Sequence, residues 1–331
     1  MKLSIEKITF PFLTPFAITG YTFTAANTVR VTLEDKGLVG RGEAQGIYYL
    51  DETPDSMVAQ LNAIAGELNG NTQPQDLLQL LPRGGARNAL DCALWDLRLK
   101  QAKQTIWQFL SANSNLALKP KPLSTVYTLG IDTPEAMAAN AQRVPGFTHL
   151  KIKLDNQEPI AKLEAIRAAR PDVHMIIDVN QGWTFDELKS YTPAAAKLGV
   201  AMIEQPLPRG GDEALEGFKS PVPLGADESC LDSHEYETLK QRYDVINIKL
   251  DKCGGLTEAF NIVELAKRDN KGLMVGNMGG SSLAMAPSFV VGQHCQFVDI
   301  DGPLLLKNDI DNGLQYSDAG VVSAPQPALW G

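Results

Sequence analysis

The stretch that decides the fold runs from Val173 to Pro206 and reads VHMIIDVNQGWTFDELKSYTPAAAKLGVAMIEQP. Two short apolar runs, VHMIIDVN and VAMIEQP, enclose a segment that we interpret as a helix. A strand, a helix and a second strand in this order are typical of a parallel βαβ unit. The two apolar runs contain Asp178 and Glu204 near their ends, so each predicted strand carries a carboxylate where it finishes.

The same alternation continues through the second half of the chain. From residue 125 onwards, eight apolar runs alternate with helical segments, and we predict that each run is a strand. Eight parallel strands in a chain of this length favour a closed (β/α) barrel. An open doubly wound sheet is the alternative, but no glycine-rich phosphate-binding fingerprint follows the first strand. The runs are VYTLG, HLKIKL, VHMIIDVN, VAMIEQP, VPLGADES, VINIKL, LMVGNM and FVDIDG.

The N-terminal region has a different pattern. Residues 1–50 contain three segments, LSIEKITF, TVRVTLED and LVGRGEAQ, which we predict to be strands of an antiparallel sheet. From about residue 51 to 118 the pattern is helical, most clearly in ARNALDCALWDLRLKQ, where apolar residues recur at helical spacing. We therefore predict an α+β domain over residues 1–122, a barrel over 123–302, and a C-terminal segment, 303–331, that returns to the first domain.

The overall composition limits the classes of partner. The chain has 331 residues and a formal net charge of −9, so it offers no basic stripe for nucleic acid or an anionic membrane. Its four cysteines form no CxxC pair, which indicates reduced thiols and no zinc site. The N-terminus lacks the features of a signal peptide, and no apolar run approaches the roughly 20 residues of a membrane span. We expect a cytoplasmic location.

Five charged residues lie at near-even intervals at the ends of predicted strands: Lys153, Asp178, Glu204, Asp227 and Lys249. In a parallel barrel these ends meet at one rim, so the three carboxylates should be neighbours. Carboxylates packed together are stable as anions when a divalent cation lies between them. Oxygen ligands without histidine or cysteine favour Mg²⁺, with Mn²⁺ as the alternative. Taken singly, each acid is equally well explained as a helix cap or a salt-bridge partner.

Lysines flank this set of acids. Lys151 and Lys153 belong to one Lys-Ile-Lys run, so strand alternation directs both side chains to the same face, and Lys249 occupies the equivalent place across the barrel. Crowding by like charge and by the cation should lower the pKa of a lysine towards neutrality and make it a base. Solvated lysines on an edge strand are the alternative. Three further residues are expected to orient metal ligands and lysines: Asn180, Glu228 and Asp251.

The motifs KIK, DVN, IEQP, ADES and NIKLDKCGG, with ARNALDCALWDL upstream, resemble the muconate-lactonizing-enzyme branch of the enolase superfamily over nearly the whole chain. The resemblance implies an α/β fold, a modified (β/α)₇β TIM barrel with an N-terminal α+β capping domain. It also implies an isomerase that removes and returns the α-proton of a carboxylate substrate through an ene-diolate, assisted by Mg²⁺. By resemblance, the Mg²⁺ ligands are Asp178, Glu204 and Asp227, the acid/base pair is Lys153 and Lys249, and Lys151 assists.

The last predicted strand, FVDIDGP, narrows the resemblance within this branch. Dipeptide epimerases have an Asp-x-Asp motif there, which binds the ammonium group of the dipeptide, and Asp299 and Asp301 match it. The resemblance also implies that Thr128 and Asn277 contact the substrate backbone, although asparagine at position 277 departs from the family pattern. It therefore implies a dipeptide epimerase acting on the C-terminal residue. Two solvated loop acids are the alternative interpretation of the motif.

The segment from Thr14 to Thr28, TPFAITGYTFTAANT, is expected to be a capping-domain loop that closes over the side chain of the second residue of the dipeptide. Relatives that act on Ala-Glu have an arginine in this loop, whereas here it contains no arginine or lysine. We therefore predict a neutral or hydrophobic second residue, in contact with Tyr21 and Phe23. A cation from elsewhere is the alternative: Arg30, Arg41 or Lys307.

Other functions stay open. An Ala-Glu epimerase, an N-acylamino-acid racemase and a cycloisomerase belong to the same branch, and a non-catalytic metal-binding barrel is the alternative from a different class. The expected partner is a small dipeptide, with no nucleic acid and no membrane. Barrels of this type often assemble, so a homo-oligomer is open as well, although no segment indicates an interface.

Overall fold

The computed structural model describes all residues from 1 to 331, and its N-terminal region combines a sheet with helices. The elements are β1 (Lys2–Ile18), β2 (Tyr21–Asp35), β3 (Leu38–Gln45), α1 (Pro54–Ala63), α2 (Leu77–Leu80), α3 (Gly85–Ala102) and α4 (Ile106–Asn113). The three strands form an antiparallel sheet in the order β1-β2-β3, and α3 packs against β2 and β3. The strands and helices that the sequence predicts for this region are confirmed.

Helix α3 lies directly on the sheet because two glycines of β3 leave room for it. A Cβ atom on Gly40 would lie 2.2 Å from the backbone oxygen of Ala93, and one on Gly42 would lie 2.2 Å from that of Ala89. A side chain at either position would therefore push the helix away from the sheet. The apolar face of α3 that the sequence predicts is fully buried: Ala86, Leu90, Ala93, Leu94 and Leu97.

Residues 14–28, predicted to be a loop, belong to a long hairpin that β1 and β2 form. Ile18 pairs with Tyr21 across a turn that contains Gly20. Gly20 has φ +78°, in the left-handed region that favours glycine. The expectation of a loop is therefore wrong, because β-branched and aromatic residues on both sides of a glycine turn favour paired strands.

The remaining chain is built on a parallel sheet. This part of the chain has the strands β4 (Leu123–Ser124), β5 (Tyr127–Leu129), β6 (His149–Lys153), β7 (His174–Asp178), β8 (Val200–Glu204), β9 (Leu224–Ala226), β10 (Val245–Lys249), β11 (Gly272–Gly276), β12 (Phe297–Val298) and β13 (Val321–Val322). Strands β4 and β13 form a separate antiparallel pair. The eight strands from β5 to β12 pair in chain order. The N–H of Val126 donates to the carbonyl oxygen of Val298 at 3.0 Å, so the two ends of this curled sheet meet.

Helices connect most of these strands. They are α5 (Pro134–Gln142), α6 (Pro159–Ala169), α7 (Phe185–Lys197), α8 (Ser233–Leu239), α9 (Leu250–Cys253), α10 (Leu256–Arg268) and α11 (Ser282–Gly292). The alternation predicts a helix between β8 and β9 as well, but only a 3₁₀ turn, Glu213–Leu215, is present. That prediction is wrong because prolines and glycines dominate the connection, PLPRGGDEALEGFKSPVP, and both residue types disfavour helix. Strand β12 leads into a 3₁₀ turn, Gly302–Leu305.

The C-terminal segment contacts both regions. Strand β13 pairs with β4, next to the start of the barrel. The indole Nε1 of Trp330 donates to the carbonyl oxygen of Cys92 on α3 at 2.9 Å, and the N–H of Gly331 donates to Asp96 Oδ1 at 2.9 Å. These contacts agree with a segment that returns to the N-terminal domain, while the boundaries at residues 122 and 302 stay a prediction.

All four cysteines are free. Cys92, Cys230 and Cys253 are buried, and Cys295 is partly exposed. None of the helices combines the length and the apolar character that crossing a membrane requires.

Two histidines start neighbouring barrel strands, and we expect His149 to make stability depend on pH. His149 and His174 are register partners, and their rings stack with centroids 5.0 Å apart. Burial, followed by the neighbouring His174, lowers the pKa of His149 below its usual value. The unfolded chain, in which histidine has a pKa of about 6.5, therefore binds this proton more readily, and stability should fall as pH falls from about 7 to 5.

Chemical denaturation at pH 7.5 and 5.5 measures this effect. The decrease in the free energy of unfolding should be smaller in His149→Gln than in the unmodified chain. An equal decrease in both would contradict the prediction.

Candidate active site

The carboxyl ends of β6, β7, β8 and β9 lie side by side at one end of the barrel. Lys153 is the register partner of Asp178, and Asp178 is the partner of Glu204. Asp227 directly follows β9. Ligand oxygens of the three acids all lie within 4.8 Å of one another, and the three side chains are buried. We call Asp178, Glu204 and Asp227 the acid cluster.

One oxygen of each acid in the cluster faces Lys151, Lys153 or Lys249. These lysines are also buried, so their ammonium groups balance the charge of the carboxylates where water is excluded. Lys151 contacts two of the acids, since its Nζ also lies 3.1 Å from Asp178 Oδ2. The other distances are 2.6 Å from Lys153 Nζ to Asp178 Oδ2, 2.9 Å from Lys151 Nζ to Glu204 Oε2, and 2.7 Å from Lys249 Nζ to Asp227 Oδ2.

The second oxygen of each acid is held by a different group. Two of the three groups, the side chains of Asn247 and Lys252, are missing from the sequence predictions, although both lie in NIKLDK beside Lys249. The contacts are Asn180 N–H to Asp178 Oδ1 at 3.0 Å, Asn247 Nδ2 to Glu204 Oε1 at 2.6 Å, and Lys252 Nζ to Asp227 Oδ1 at 2.6 Å, the last being ionic without hydrogen-bond geometry.

Burial lowers the pKa of Lys151 and of Lys249, but the acids around these two lysines raise it by more. In Lys151, burial lowers the pKa, whereas Asp299 and Glu204 raise it, and the result lies well above the usual value. In Lys249, burial is likewise outweighed, first by Asp227. The prediction that like charge and a bound cation together lower the pKa of a lysine omits these adjacent carboxylates, and its outcome with the cation in place stays a prediction.

The acids of the cluster differ in their affinity for protons. Burial favours the neutral form of Asp178, but Lys153 and Lys151 outweigh burial and lower its pKa to about 2. Burial, followed by the charge of Asp178, raises the pKa of Glu204 to about 7.

Three buried carboxylates without histidine or cysteine are ligands for a hard divalent cation, so the donor set of the cluster fits such an ion.

The Asp-x-Asp motif belongs to the same site, but its two acids have different surroundings. Asp299 Oδ2 lies 2.9 Å from Lys151 Nζ, and Asp299 Oδ1 accepts a hydrogen bond from Asn277 Nδ2 at 3.0 Å. Asp301 Oδ2 accepts one from the N–H of Thr128 at 2.8 Å. Burial, followed by the charge of Asp299, raises the pKa of Asp301 to about 8. Asp301 therefore lacks the cationic partner that Asp299 has.

A cavity of about 80 Å³ joins these groups to the β1–β2 hairpin. Of the two predicted aromatic contacts, Phe23 lines the cavity and Tyr21 does not. Tyr21 is 47% exposed, and its ring stacks on that of Phe23 with centroids 6.0 Å apart. The polar lining includes Lys151, Lys153, Lys249, Asp299 and Asp301, and the apolar lining includes Phe12, Phe16, Ile18 and Phe23.

No arginine lines this cavity. Arg30 forms an ion pair with Glu43 at 2.7 Å, and Arg41 donates to the carbonyl oxygen of Leu329 at 2.9 Å. Lys307 is also absent from the lining. The three cations that the sequence offers as alternatives therefore lie outside the cavity.

Two family models match the chain. "Mandelate racemase / muconate lactonizing enzyme, N-terminal domain" matches residues 4–111, and "Enolase C-terminal domain-like" matches residues 136–326. This chain belongs to the enolase superfamily. The resemblance that the motifs indicate is confirmed.

Relatives of this enolase-superfamily chain match it over most of its length. It is 40% identical over 303 residues to an N-acetyl-D-glutamate racemase from Pseudoalteromonas sp., which covers 91% of this chain and 94% of the relative. It is 38% identical over 310 residues to an L-Ala-D/L-Glu epimerase from Escherichia coli strain K12, which covers 93% of this chain and 95% of the relative. Both relatives are isomerases, and the predicted enzyme class is confirmed at the level of the family.

Two solved structures share the fold. An enolase family member from Agrobacterium tumefaciens, with homology to dipeptide epimerases and with bound sodium and L-Ala-L-Glu, has a TM-score of 0.95 and 39% identity and covers 99% of both chains. A dipeptide epimerase from Cytophaga hutchinsonii, complexed with Mg and D-Ala-L-Val, has a TM-score of 0.90 and 27% identity over 98% of this chain and 92% of its own. The predicted modified TIM barrel with an N-terminal α+β domain is confirmed.

The three residues that the sequence suggests as orienting groups surround the site of this superfamily member. Asn180 Oδ1 accepts a hydrogen bond from Lys153 Nζ at 3.0 Å, and its Nδ2 donates to Glu228 Oε1 at 3.2 Å. Asp251 Oδ1 accepts one from the N–H of Gln45 at 3.0 Å. Asn180 therefore links a lysine of the site to a buried acid, while Asp251 connects the barrel to the end of β3.

The sequence predictions miss an aromatic pair on the 3₁₀ turn Tyr48–Leu50, which follows β3. Tyr48 lines the cavity, and its ring contacts that of Phe23 with centroids 5.3 Å apart. The ring of Tyr49 contacts that of Tyr48 with centroids 5.1 Å apart, and the buried Tyr49 hydroxyl has no hydrogen-bond partner. The signal for this contact is the pair of consecutive tyrosines in GIYYLDE, directly after a predicted strand.

Proposed function

We propose that this protein is a dipeptide epimerase that inverts the α-carbon of the C-terminal residue of a dipeptide. The observation that carries the proposal is one cavity with two kinds of polar lining. Lys153 and Lys249 supply two groups that move protons, and Asp299 and Asp301 supply negative charge for an ammonium group. A non-catalytic metal-binding barrel would not need two buried lysines facing the same cavity.

The acid cluster is proposed to hold Mg²⁺, the ion present in the Cytophaga structure, with Mn²⁺ as the alternative. When bound, Mg²⁺ neutralises the charge of a substrate carboxylate and makes the adjacent α-proton more acidic. Asp178, Glu204 and Asp227 would hold the ion through the oxygens that face the lysines. Three buried carboxylates packed together support this proposal, because their mutual repulsion favours a cation.

Lys153 and Lys249 are proposed to serve opposite faces of the substrate α-carbon. One lysine removes the α-proton, and the other returns a proton to the opposite face, so that the configuration inverts. Lys151 is proposed to stabilise the negative charge that develops on the oxygens of the ene-diolate. Its ammonium group lies within 2.9 Å of Glu204 and of Asp299, so it is a fixed positive charge between the metal side and the ammonium side of the site.

Asp301 is proposed to bind the ammonium group of the dipeptide, because it is buried without a cationic partner. Asp299 contributes negative charge that Lys151 already balances in part. Thr128 and Asn277 also line the cavity and are proposed to contact the substrate backbone. Asn277 also holds Asp299 in place through its side-chain amide.

The second residue of the dipeptide is proposed to be neutral or hydrophobic. Phe16, Ile18 and Phe23 of the hairpin supply an apolar wall, and no arginine lines the cavity. A carboxylate side chain would lose its hydration there without gaining a partner, which is costly. Tyr21, which stacks on Phe23, is proposed to support this wall from outside.

An N-acylamino-acid racemase is the second candidate. The 40% identity to an N-acetyl-D-glutamate racemase favours it. The ion pair between Asp299 and Lys151 favours it as well, because Lys151 already balances part of the charge that an ammonium group of a substrate would need. An Ala-Glu epimerase is supported by the Escherichia coli relative, and a cycloisomerase shares the same family. These functions use the same lysines and acid cluster and differ in the substrate groups that the cavity recognises.

Deuterium exchange at the α-carbon, measured over a panel of Ala-X dipeptides and N-acetylated amino acids, tests the proposal. Ala-Leu and Ala-Phe should exchange about tenfold faster or more than Ala-Glu, because an apolar wall penalises an unpaired carboxylate. N-acetyl-leucine serves as the matched control, since it keeps the side chain and lacks the ammonium group. A preference for Ala-Glu would contradict the proposal of a neutral or hydrophobic second residue. A preference for N-acetyl-glutamate would contradict the proposal that the substrate is a dipeptide.

We also propose a cytoplasmic location. Four free thiols support it, because thiols stay reduced in the cytoplasm and form disulfides in oxidising compartments. The dipeptide is proposed as the only class of ligand besides the cation, with no nucleic acid and no membrane, since the chain has a net charge of −9. Assembly into a homo-oligomer stays a prediction.

A further inference from the structure

The two oxygens of each carboxylate in the acid cluster contact different kinds of group. The inner oxygens, Asp178 Oδ2, Glu204 Oε2 and Asp227 Oδ2, all face lysines that line the cavity. The outer oxygens, Asp178 Oδ1, Glu204 Oε1 and Asp227 Oδ1, all contact groups that do not move a proton in the proposed reaction. This division is the same in all three acids, although they belong to three different strand ends.

Besides its ion pair with Asp227, Lys252 is held in place by three backbone acceptors. Its side chain is 1% exposed, and its Nζ donates to the carbonyl oxygens of Asp227 at 2.6 Å, Asn247 at 3.0 Å and Cys230 at 3.1 Å. Lys252 does not line the cavity, so it has no access to substrate. Three backbone acceptors satisfy its three N–H donors, and its charge is then directed at the outer oxygen of Asp227.

Asn247 is equally confined. It belongs to β10, is 1% exposed, and donates from Nδ2 to the outer oxygen of Glu204 at 2.6 Å. A Cβ atom on Gly276 of the neighbouring strand would lie 2.7 Å from Asn247 Oδ1, so the amide is packed closely against that strand. The side chain therefore has little freedom to release the carboxylate.

We propose that Asn247 and Lys252 are positioning residues that restrict Glu204 and Asp227 to one metal-binding oxygen each, and so make the acid cluster select a small cation over a larger one. Mg²⁺ requires six oxygens in a near-ideal octahedron, whereas Ca²⁺ takes six to eight oxygens and often uses both oxygens of a carboxylate. With the outer oxygens held, the cluster supplies one oxygen per acid, which suits the smaller ion.

The inference rests on the proposed function in one respect, namely that the acid cluster binds a divalent cation. Lys252 also carries a positive charge that repels any cation in the cluster. Removing that charge changes the affinity for Mg²⁺ and for Ca²⁺ alike, because both ions are divalent. The ratio of the two affinities cancels this effect and reports the restriction of the oxygens.

Calorimetric titration of the full chain with Mg²⁺ and, separately, with Ca²⁺ tests the proposal without measuring turnover. The variants are Lys252→Met, which removes the donor and the charge, and Asn247→Leu, which removes a donor at similar size without a change of charge. The matched control is Lys162→Met, since Lys162 is also buried and pairs with Asp155 at 2.7 Å without contacting the cluster. Both test variants should lower the preference for Mg²⁺ over Ca²⁺ by about tenfold, which is the lower end of the roughly 10- to 100-fold loss of metal affinity that removing a group that orients a ligand causes.

Each outcome decides between the proposals. An unchanged preference in a folded test variant would overturn the inference, and so would an equal change in Lys162→Met. If Lys252→Met does not fold, Asn247→Leu decides, and failure of both to fold would assign the donors to folding instead. Failure of the unmodified chain to bind either ion would contradict the proposed function, whereas normal Mg²⁺ binding with unchanged variants would contradict the inference alone.

Discussion

Replacing Lys153 or Lys249 with alanine should abolish inversion and leave α-proton exchange in one epimer only, a different epimer for each variant. If each lysine serves one face of the α-carbon, the remaining lysine still removes the proton on its own side and returns a deuteron to that side. The epimer that presents its proton to the missing lysine should not exchange. Loss of a positioned acid or base typically lowers the rate by about 10²- to 10⁴-fold.

The measurement is ¹H NMR of each pure epimer in deuterated buffer, with chirality determined at the end. Lys162→Ala is the matched control, because this buried lysine pairs with Asp155 away from the acid cluster. Calorimetry with Mg²⁺ verifies that the variants still bind the cation, since Lys153 and Lys249 contact Asp178 and Asp227. Unchanged exchange of both epimers in either variant would show that the acid/base assignment is wrong.

Asp301→Asn should lower kcat/KM for dipeptides by about 30- to 4,000-fold and leave N-acetylated amino acids nearly unaffected. Losing one partner of a buried charge pair costs about 2–5 kcal/mol, and about 1.4 kcal/mol corresponds to a factor of ten. The asparagine keeps an oxygen that can accept the hydrogen bond from Thr128, so the substitution removes the charge with little change of shape. If dipeptides and N-acetylated amino acids respond equally, Asp301 does not bind the ammonium group.

Proton release provides an independent readout of Asp301. Its pKa is raised to about 8, first by burial and then by Asp299, so the carboxyl group is mostly protonated at pH 7. Binding of an ammonium group favours the ionised form and should release a proton. Dipeptide affinity should therefore rise towards pH 8 and fall above it, as the amino group of the substrate, with a pKa of about 8, loses its charge. Calorimetry in two buffers of different ionisation enthalpy should detect the release, and Asp301→Asn should abolish it.

In the barrel, local sequence patterns predict most of the secondary structure. Each of the eight strands coincides with an apolar run, and the spacing of those runs determines that Asp178, Glu204 and Asp227 meet at one rim. The pattern fails between β8 and β9, where prolines and glycines replace a helix with a 3₁₀ turn. It also fails in the hairpin, because strand pairing depends on a partner that lies on the other side of Gly20.

The roles of the residues proposed to bind substrate follow less directly from the local sequence. Asp299 and Asp301 are two residues apart and look equivalent in the sequence, yet Lys151 pairs with one and the Thr128 N–H with the other. Phe23 lines the cavity while Tyr21 lies outside, although both belong to the same strand. Lys252 is indistinguishable by pattern from a surface lysine, and its burial follows from backbone acceptors in two other places, the stretch that follows β9 and strand β10.

The sequence by itself determined the family, the parallel barrel and the set of acids and lysines at its rim. It could do so because strand periodicity and the common direction of parallel strands relate position in the chain to position at the rim. Only the tertiary structure decided which oxygen of each acid faces a lysine, which acid of the Asp-x-Asp motif lacks a cation, and which way the carboxylates shift the pKa of Lys151 and of Lys249. These properties depend on burial and on distances between residues remote in the chain, because charges interact through space and not along the sequence.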